Sequence, residues 1–125
     1  MAHKIFWVAV AGASGTLARY GLQGFVQRLH ESGFPWGTLA VNLVGCLLFG
    51  LIWSLAEERS LISGEVRFIA LVGFLGAFTT FSTLAFETGQ MVRDAEWLYA
   101  AVNLMAHNGL GIAAYFLGLK LGRFF

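Results

Sequence analysis

The chain has 125 residues, 58% of them apolar and 12% charged, against a charged share near 25% in ordinary soluble domains. Four tryptophans, twelve phenylalanines and sixteen glycines beside a single proline overload the small core that a soluble fold of this length encloses, so apolar surface has to face lipid. A net charge of +1 with no basic stripe excludes a nucleic-acid partner, and one cysteine with three scattered histidines offers neither an intrachain disulfide nor metal-ligand spacing.

Four apolar stretches, 5–27, 36–56, 68–90 and 97–119, hold 90 residues but only two of the fifteen charged side chains, Arg19 and Glu87. Each exceeds the ~20 residues that a helix needs to cross a bilayer. The pattern predicts one all-α membrane domain over 1–125 with four transmembrane helices, short connections and no extramembrane domain. Trp7, Trp36, Trp97, Tyr99, Phe124 and Phe125 fall near predicted span ends, where amphipathic rings favour the headgroup zone. Lys4, Arg59, Arg67, Lys120 and Arg123 lie on the terminal side and Arg28 and Arg93 on the other. That bias favours cytoplasmic termini and leaves insertion in both orientations open. Ala9-Val10-Ala11 resembles a signal cleavage site, but Ile5–Val8 is too short an apolar region before it. Four close-packed helices enclose no water-filled route, so transport implies an oligomer. With no internal repeat, any two-fold symmetry has to come from two chains.

In the first span, Gly12, Thr16, Arg19 and Gln23 form a stripe at helical spacing, and Gly15, Gly21 and Gly24 add small residues for close helix approach, as do Gly45 and Gly50 in the second span. Arg19 is roughly 4.5 Å from the span centre by helix rise; a charge there pairs with an opposite charge, caps carbonyls or touches a ligand. In the second span, Thr38, Asn42 and Gly45 share a face. An unpaired Asn costs several kcal/mol in lipid, so Asn42 bonds either a helix neighbour or a ligand.

The third span carries GFLGAFTTFSTL, Gly73 to Leu84, with Thr79, Thr80, Ser82 and Thr83 polar at maximum depth. Glycine weakens a helix and hydroxyls re-satisfy freed backbone groups, which predicts a break near Gly76–Thr80. A broken helix presents carbonyls that suit a cation and amide hydrogens that suit an anion. Phe74, Phe78 and Phe81 are spaced along one helical face, and their ring edges carry partial positive charge. Thr80, Thr83 and Glu87 share another face; Glu87, ~12 Å from the centre, can snorkel to the interface. In the fourth span, Asn103 and His107 share a face and Asn108 turns away. Donors dominate this set, which suits a small anion losing its water. No nucleophile stands with a base, so an enzyme is not expected.

At these residues the sequence resembles the Fluc/CrcB family of fluoride channels, over essentially the whole chain. Gly12-Ala13-Ser14-Gly15 with Arg19-Tyr20 is similar to the family's first-span pattern. Gly37-Thr38-Leu39 with Val41-Asn42-Leu43-Val44-Gly45 is similar to its second, GFLGAFTTFST to its third-span core, and Asn108 with Gly111 to a weaker fourth-span pattern. The resemblance implies an antiparallel, dual-topology homodimer in the cell (inner) membrane. Two pores at the dimer contact would pass fluoride passively out of the cytoplasm and confer fluoride resistance. It places Asn42, Phe81, Ser82, Thr83 and Glu87 along the fluoride route, with Thr38 on the Asn42 face. Carbonyls of Gly76 and Thr79 from both subunits would hold a central sodium ion, and Arg19, Asn103 and Asn108 would be structural polar residues. Two positions depart from the family: Leu84 stands where a second phenylalanine is usual, and Ala77 where a second glycine is common. Leu84 removes one aromatic edge, leaving open a slower channel, a variant using Phe86, or a non-conducting subunit of a heteromer. A proton-coupled multidrug exporter of similar size is a further alternative, although such carriers place their essential acid in the first span, where this chain has Arg19.

Overall fold

The computed structural model describes all 125 residues, and every regular element is a helix. Helix α1 covers Ala2–Leu29 and α2 covers Trp36–Glu58, its last turn widened to π geometry over Ser54–Glu58. The third segment, Gly64–Arg93, is split into α3 (64–78) and α4 (Phe81–Arg93), and α5 covers Trp97–Gly122. The predicted stretches are thus contained in four helical segments that run past them into polar residues.

Trp36–Glu58 and Gly64–Arg93 are long and apolar enough to cross a membrane. α1 and α5 have the length, at 28 and 26 residues, but are diluted by Arg19, Gln23 and Gln27 in one and Asn103, His107 and Asn108 in the other.

Lipid does not drive helices together by apolar burial, so close backbone approach has to. α2 and α5 make the most extensive contact, and glycine permits it. A Cβ on Gly50 would run into the Tyr115 carbonyl, and one on Gly118 into the Leu47 carbonyl. α1 meets α3 in the same way, Gly15 against the Phe74 backbone and Gly73 against the Val8 carbonyl. Gly21 and Gly24, expected to admit a neighbouring helix, face none within the chain.

Only small clusters are enclosed: Val41, Leu75 and Phe78 in one, Phe34, Leu39, Met91 and Ala100 in another. Large apolar side chains such as Leu17, Phe86, Leu98 and Phe116 lie outside, as lipid-facing residues must. At the terminal end Glu58 takes Arg123 in a forked pair, Nε at 2.8 Å and Nη2 at 3.1 Å, and Arg67 pairs with Glu57. These links tie α5 and α3 to the end of α2.

Candidate functional site: a helix break beside an open cavity

α3 stops at Phe78 because the next two residues are extended, Thr79 at φ −83°, ψ 158° and Thr80 at φ −149°, ψ 111°. β-branched residues favour that conformation. Gly73 and Gly76 weaken the preceding turns, and Ile69–Leu75 is already unwound to π geometry. Thr80 then caps α4, its Oγ1 accepting the Thr83 N–H at 3.2 Å. Its hydroxyl also donates to Thr83 Oγ1 at 2.9 Å, and Ser82 Oγ lies 3.4 Å away on the exposed side.

The carbonyls at the end of α3 lose their helical donors as a result, those of Gly76 and Thr79 among them. The Thr80 N–H, which a continuous helix would give to Gly76, goes to Asn42 Oδ1 at 2.8 Å; the Thr83 N–H, which would go to Thr79, is taken by the Thr80 hydroxyl. Asn42 Nδ2 donates in return to the Thr80 carbonyl at 3.0 Å. The side-chain amide therefore pairs with Thr80 as a neighbouring strand would. Between the two uses open to Asn42 the fold makes the helix-neighbour bond, and one N–H of Nδ2 remains without a partner in the chain. Gly45 makes the room: a Cβ there would run into Thr79 Cγ2 and lie 3.5 Å from the Phe78 ring.

A cavity of about 630 Å³ opens beside the break. Asn42, Thr79 and Thr80 line one side, His107 and Asn108 the other, with Phe81 and Leu84 as apolar wall. Asn108 is exposed and its Nδ2 is bonded to the Leu104 carbonyl at 2.8 Å. The expected phenylalanine face does not survive the break. Phe74 and Phe78 stack at 5.6 Å, whereas Phe81, past the extended pair, is turned out and 80% exposed. Leu84 is buried; Phe86 faces outward and does not line the cavity.

Glu87 does not snorkel. Its Oε1 accepts the Thr38 hydroxyl at 2.6 Å, and Thr38 Oγ1 accepts Gln23 Nε2 at 3.1 Å, a line of donors from α1 through α2 to α4. A short bond from a hydroxyl to a carboxylate is among the stronger ones, which holds the group inside. Oε2 is enclosed without a partner.

Asn103 is fully buried and donates through Nδ2 to Thr88 Oγ1 at 3.0 Å, with Oδ1 unpartnered. His107 Nδ1 lies 2.9 Å from the Asn103 carbonyl. A carbonyl only accepts, so Nδ1 carries the hydrogen; the enclosed Nε2 has no partner. Arg19 is half-buried and forms neither an ion pair nor a hydrogen bond within the chain, so the pairing considered for it is not made here.

Thr88 and Gln27 escaped the sequence reading. Gln27 donates to the Phe34 carbonyl at 3.1 Å and accepts the Gly37 N–H at 3.0 Å, fastening the connection between α1 and α2. The signal for Thr88 was its place on the buried face of α4 with Leu84 and Met91.

A family model described as CrcB-like protein, Camphor Resistance (CrcB), matches residues 6–119. A protein of Nitrosococcus oceani named fluoride-specific ion channel FluC is 58% identical over 123 residues, 98% of either chain. Proteins of the same name from Desulforapulum autotrophicum and Solidesulfovibrio magneticus are 55% and 50% identical over the same length and coverage.

Proposed function

The chain belongs to the CrcB (Fluc) family, and from that membership we propose that it is a passive, fluoride-selective channel of the cell (inner) membrane. The proposed working form is an antiparallel homodimer of four-span subunits with two pores at the dimer contact. A potential negative inside favours anion exit by about 2.3 kcal/mol per 100 mV, so the flow is outward without coupling.

The observation that carries this reading is the break itself. Extended residues in the middle of an apolar segment, held by Asn42 and opening on a cavity, are what an intramembrane ion route requires. An exposed Phe81 beside that open cavity is consistent with a second subunit closing it.

In this proposal fluoride exchanges water for the spare N–H of Asn42, the hydroxyls of Ser82 and Thr83 and the ring edge of Phe81, weak donors that bind without trapping. Thr38 and Glu87 lie along the same route, the carboxylate restrained by the Thr38 hydroxyl. Arg19, Asn103 and Asn108 serve as structural polar residues.

A sodium ion fits the break: the Gly76 and Thr79 carbonyls lack their helical donors, and oxygen ligands suit a hard cation. Two subunits would contribute four such oxygens. Held there, such an ion would supply fixed positive charge beside the proposed anion route.

Leu84 supports a second reading, in which the chain is a non-conducting subunit that needs a partner with the second aromatic. Reconstitution of the purified chain in liposomes separates them. Fast fluoride efflux at an ion-selective electrode with negligible chloride efflux supports the homomeric channel; silence from a folded dimer favours the heteromer.

A further inference from the structure

A second cleft, about 430 Å³, lies at the terminal end between the start of α1, the end of α2 and the start of α3, and shares Phe49 and Leu71 with the cavity beside the break. Its two basic residues, Lys4 and Arg67, sit over aromatic walls: Lys4 Nζ is 3.9 Å from the Phe68 ring centroid and the Arg67 guanidinium 5.2 Å from that of Trp53. One helical turn further in on each wall are Phe49 and Val72. The cleft is thus cationic at its mouth and apolar about 6 Å deeper along the helix axes.

Of the acids nearby, Glu57 pairs with Arg67 and Glu65 lies 3.6 Å from His3; the cleft lining itself contains no acid. Lys4 has no carboxylate partner. An unneutralised ammonium held over an aromatic ring, above an apolar slot, matches one ligand shape: a phosphate on an acyl chain.

We propose that this cleft binds the headgroup phosphate of an anionic phospholipid, with Lys4 as the principal contact, Arg67 as the second and one acyl chain along Phe49 and Val72. The site rests on the membrane placement proposed above and not on ion conduction. A zwitterionic lipid brings its own cation to the mouth and gains less from Lys4. Basic clefts at the membrane surface use the same attraction, about fivefold in affinity for each basic residue.

The test is native mass spectrometry of the full chain in detergent with equal amounts of phosphatidylglycerol and phosphatidylcholine of matched acyl chains. The chain is expected to retain phosphatidylglycerol preferentially, Lys4→Gln to lose about fivefold of that preference, and Lys4→Arg to keep it. Equal retention of the two lipids, or an unchanged preference in Lys4→Gln, overturns the site. Inorganic phosphate added at millimolar level is expected to leave the lipid bound; displacement would mean that the cleft reads phosphate alone, against a lipid site. Membrane fractionation of the same cells checks placement separately. A soluble chain defeats both readings, whereas a membrane-bound chain without lipid preference defeats only the cleft.

Discussion

Asn42 on α2 and Thr80 in the break exchange two hydrogen bonds, Nδ2 to the carbonyl at 3.0 Å and the N–H to Oδ1 at 2.8 Å. The pair replaces the helical bonds that Thr80 forgoes by being extended. It joins a stability role to the proposed conduction role, because Asn42, whose Nδ2 keeps a spare N–H, also lines the cavity.

Asn42→Asp keeps an acceptor for the Thr80 N–H but loses the donor to its carbonyl, and it adds negative charge to the anion route. Fluoride efflux from liposomes is expected to vanish; undiminished efflux would remove Asn42 from the route. Asn42→Ala leaves both Thr80 groups unpartnered, about 1–3 kcal/mol each, and is expected to lower the thermal midpoint measured in detergent by more than the Asp variant does.

Gly45→Val has to displace Thr79, whose methyl occupies the space of the new side chain. Overpacking of this kind costs about 1–3 kcal/mol. The break should shift and efflux fall, whereas Gly33→Ala, in the α1–α2 connection with nothing within 4 Å, should leave both efflux and the thermal midpoint unchanged.

Leu84→Phe places an aromatic edge on the cavity wall. The adjoining cavity of about 630 Å³ has space for the ring, so the overpacking cost stays small. Efflux is expected to rise if the wall needs a second aromatic. Phe86→Leu, on the outer surface, should have no effect; a loss there would mean that Phe86 does the work of the missing ring.

Thr38→Val removes the one hydroxyl that restrains Glu87 and leaves both carboxylate oxygens without a donor in the chain. A loss of about 1–3 kcal/mol and slower efflux are expected, with Thr38→Ser close to the parent in both. Circular-dichroism melts and electrode traces on the same preparations read the two effects.

The sequence by itself determined where the helical segments lie and which stretch of the third segment cannot stay helical. These follow from hydropathy, from rise per residue and from glycine beside β-branched threonine, all local properties of the chain. Only the tertiary structure decided which donor meets which acceptor. Asn42 reaches Thr80, Thr38 turns Glu87 inward, Thr88 takes Asn103, and Arg19 finds no partner within the chain. Those outcomes depend on the rotation of each helix about its axis and on crossing distances set by glycine contacts such as Gly50 with Tyr115 and Gly118 with Leu47. The direction of Phe81 has the same origin: two extended residues before it reset the helical phase, and a face counted from Phe74 and Phe78 no longer includes it.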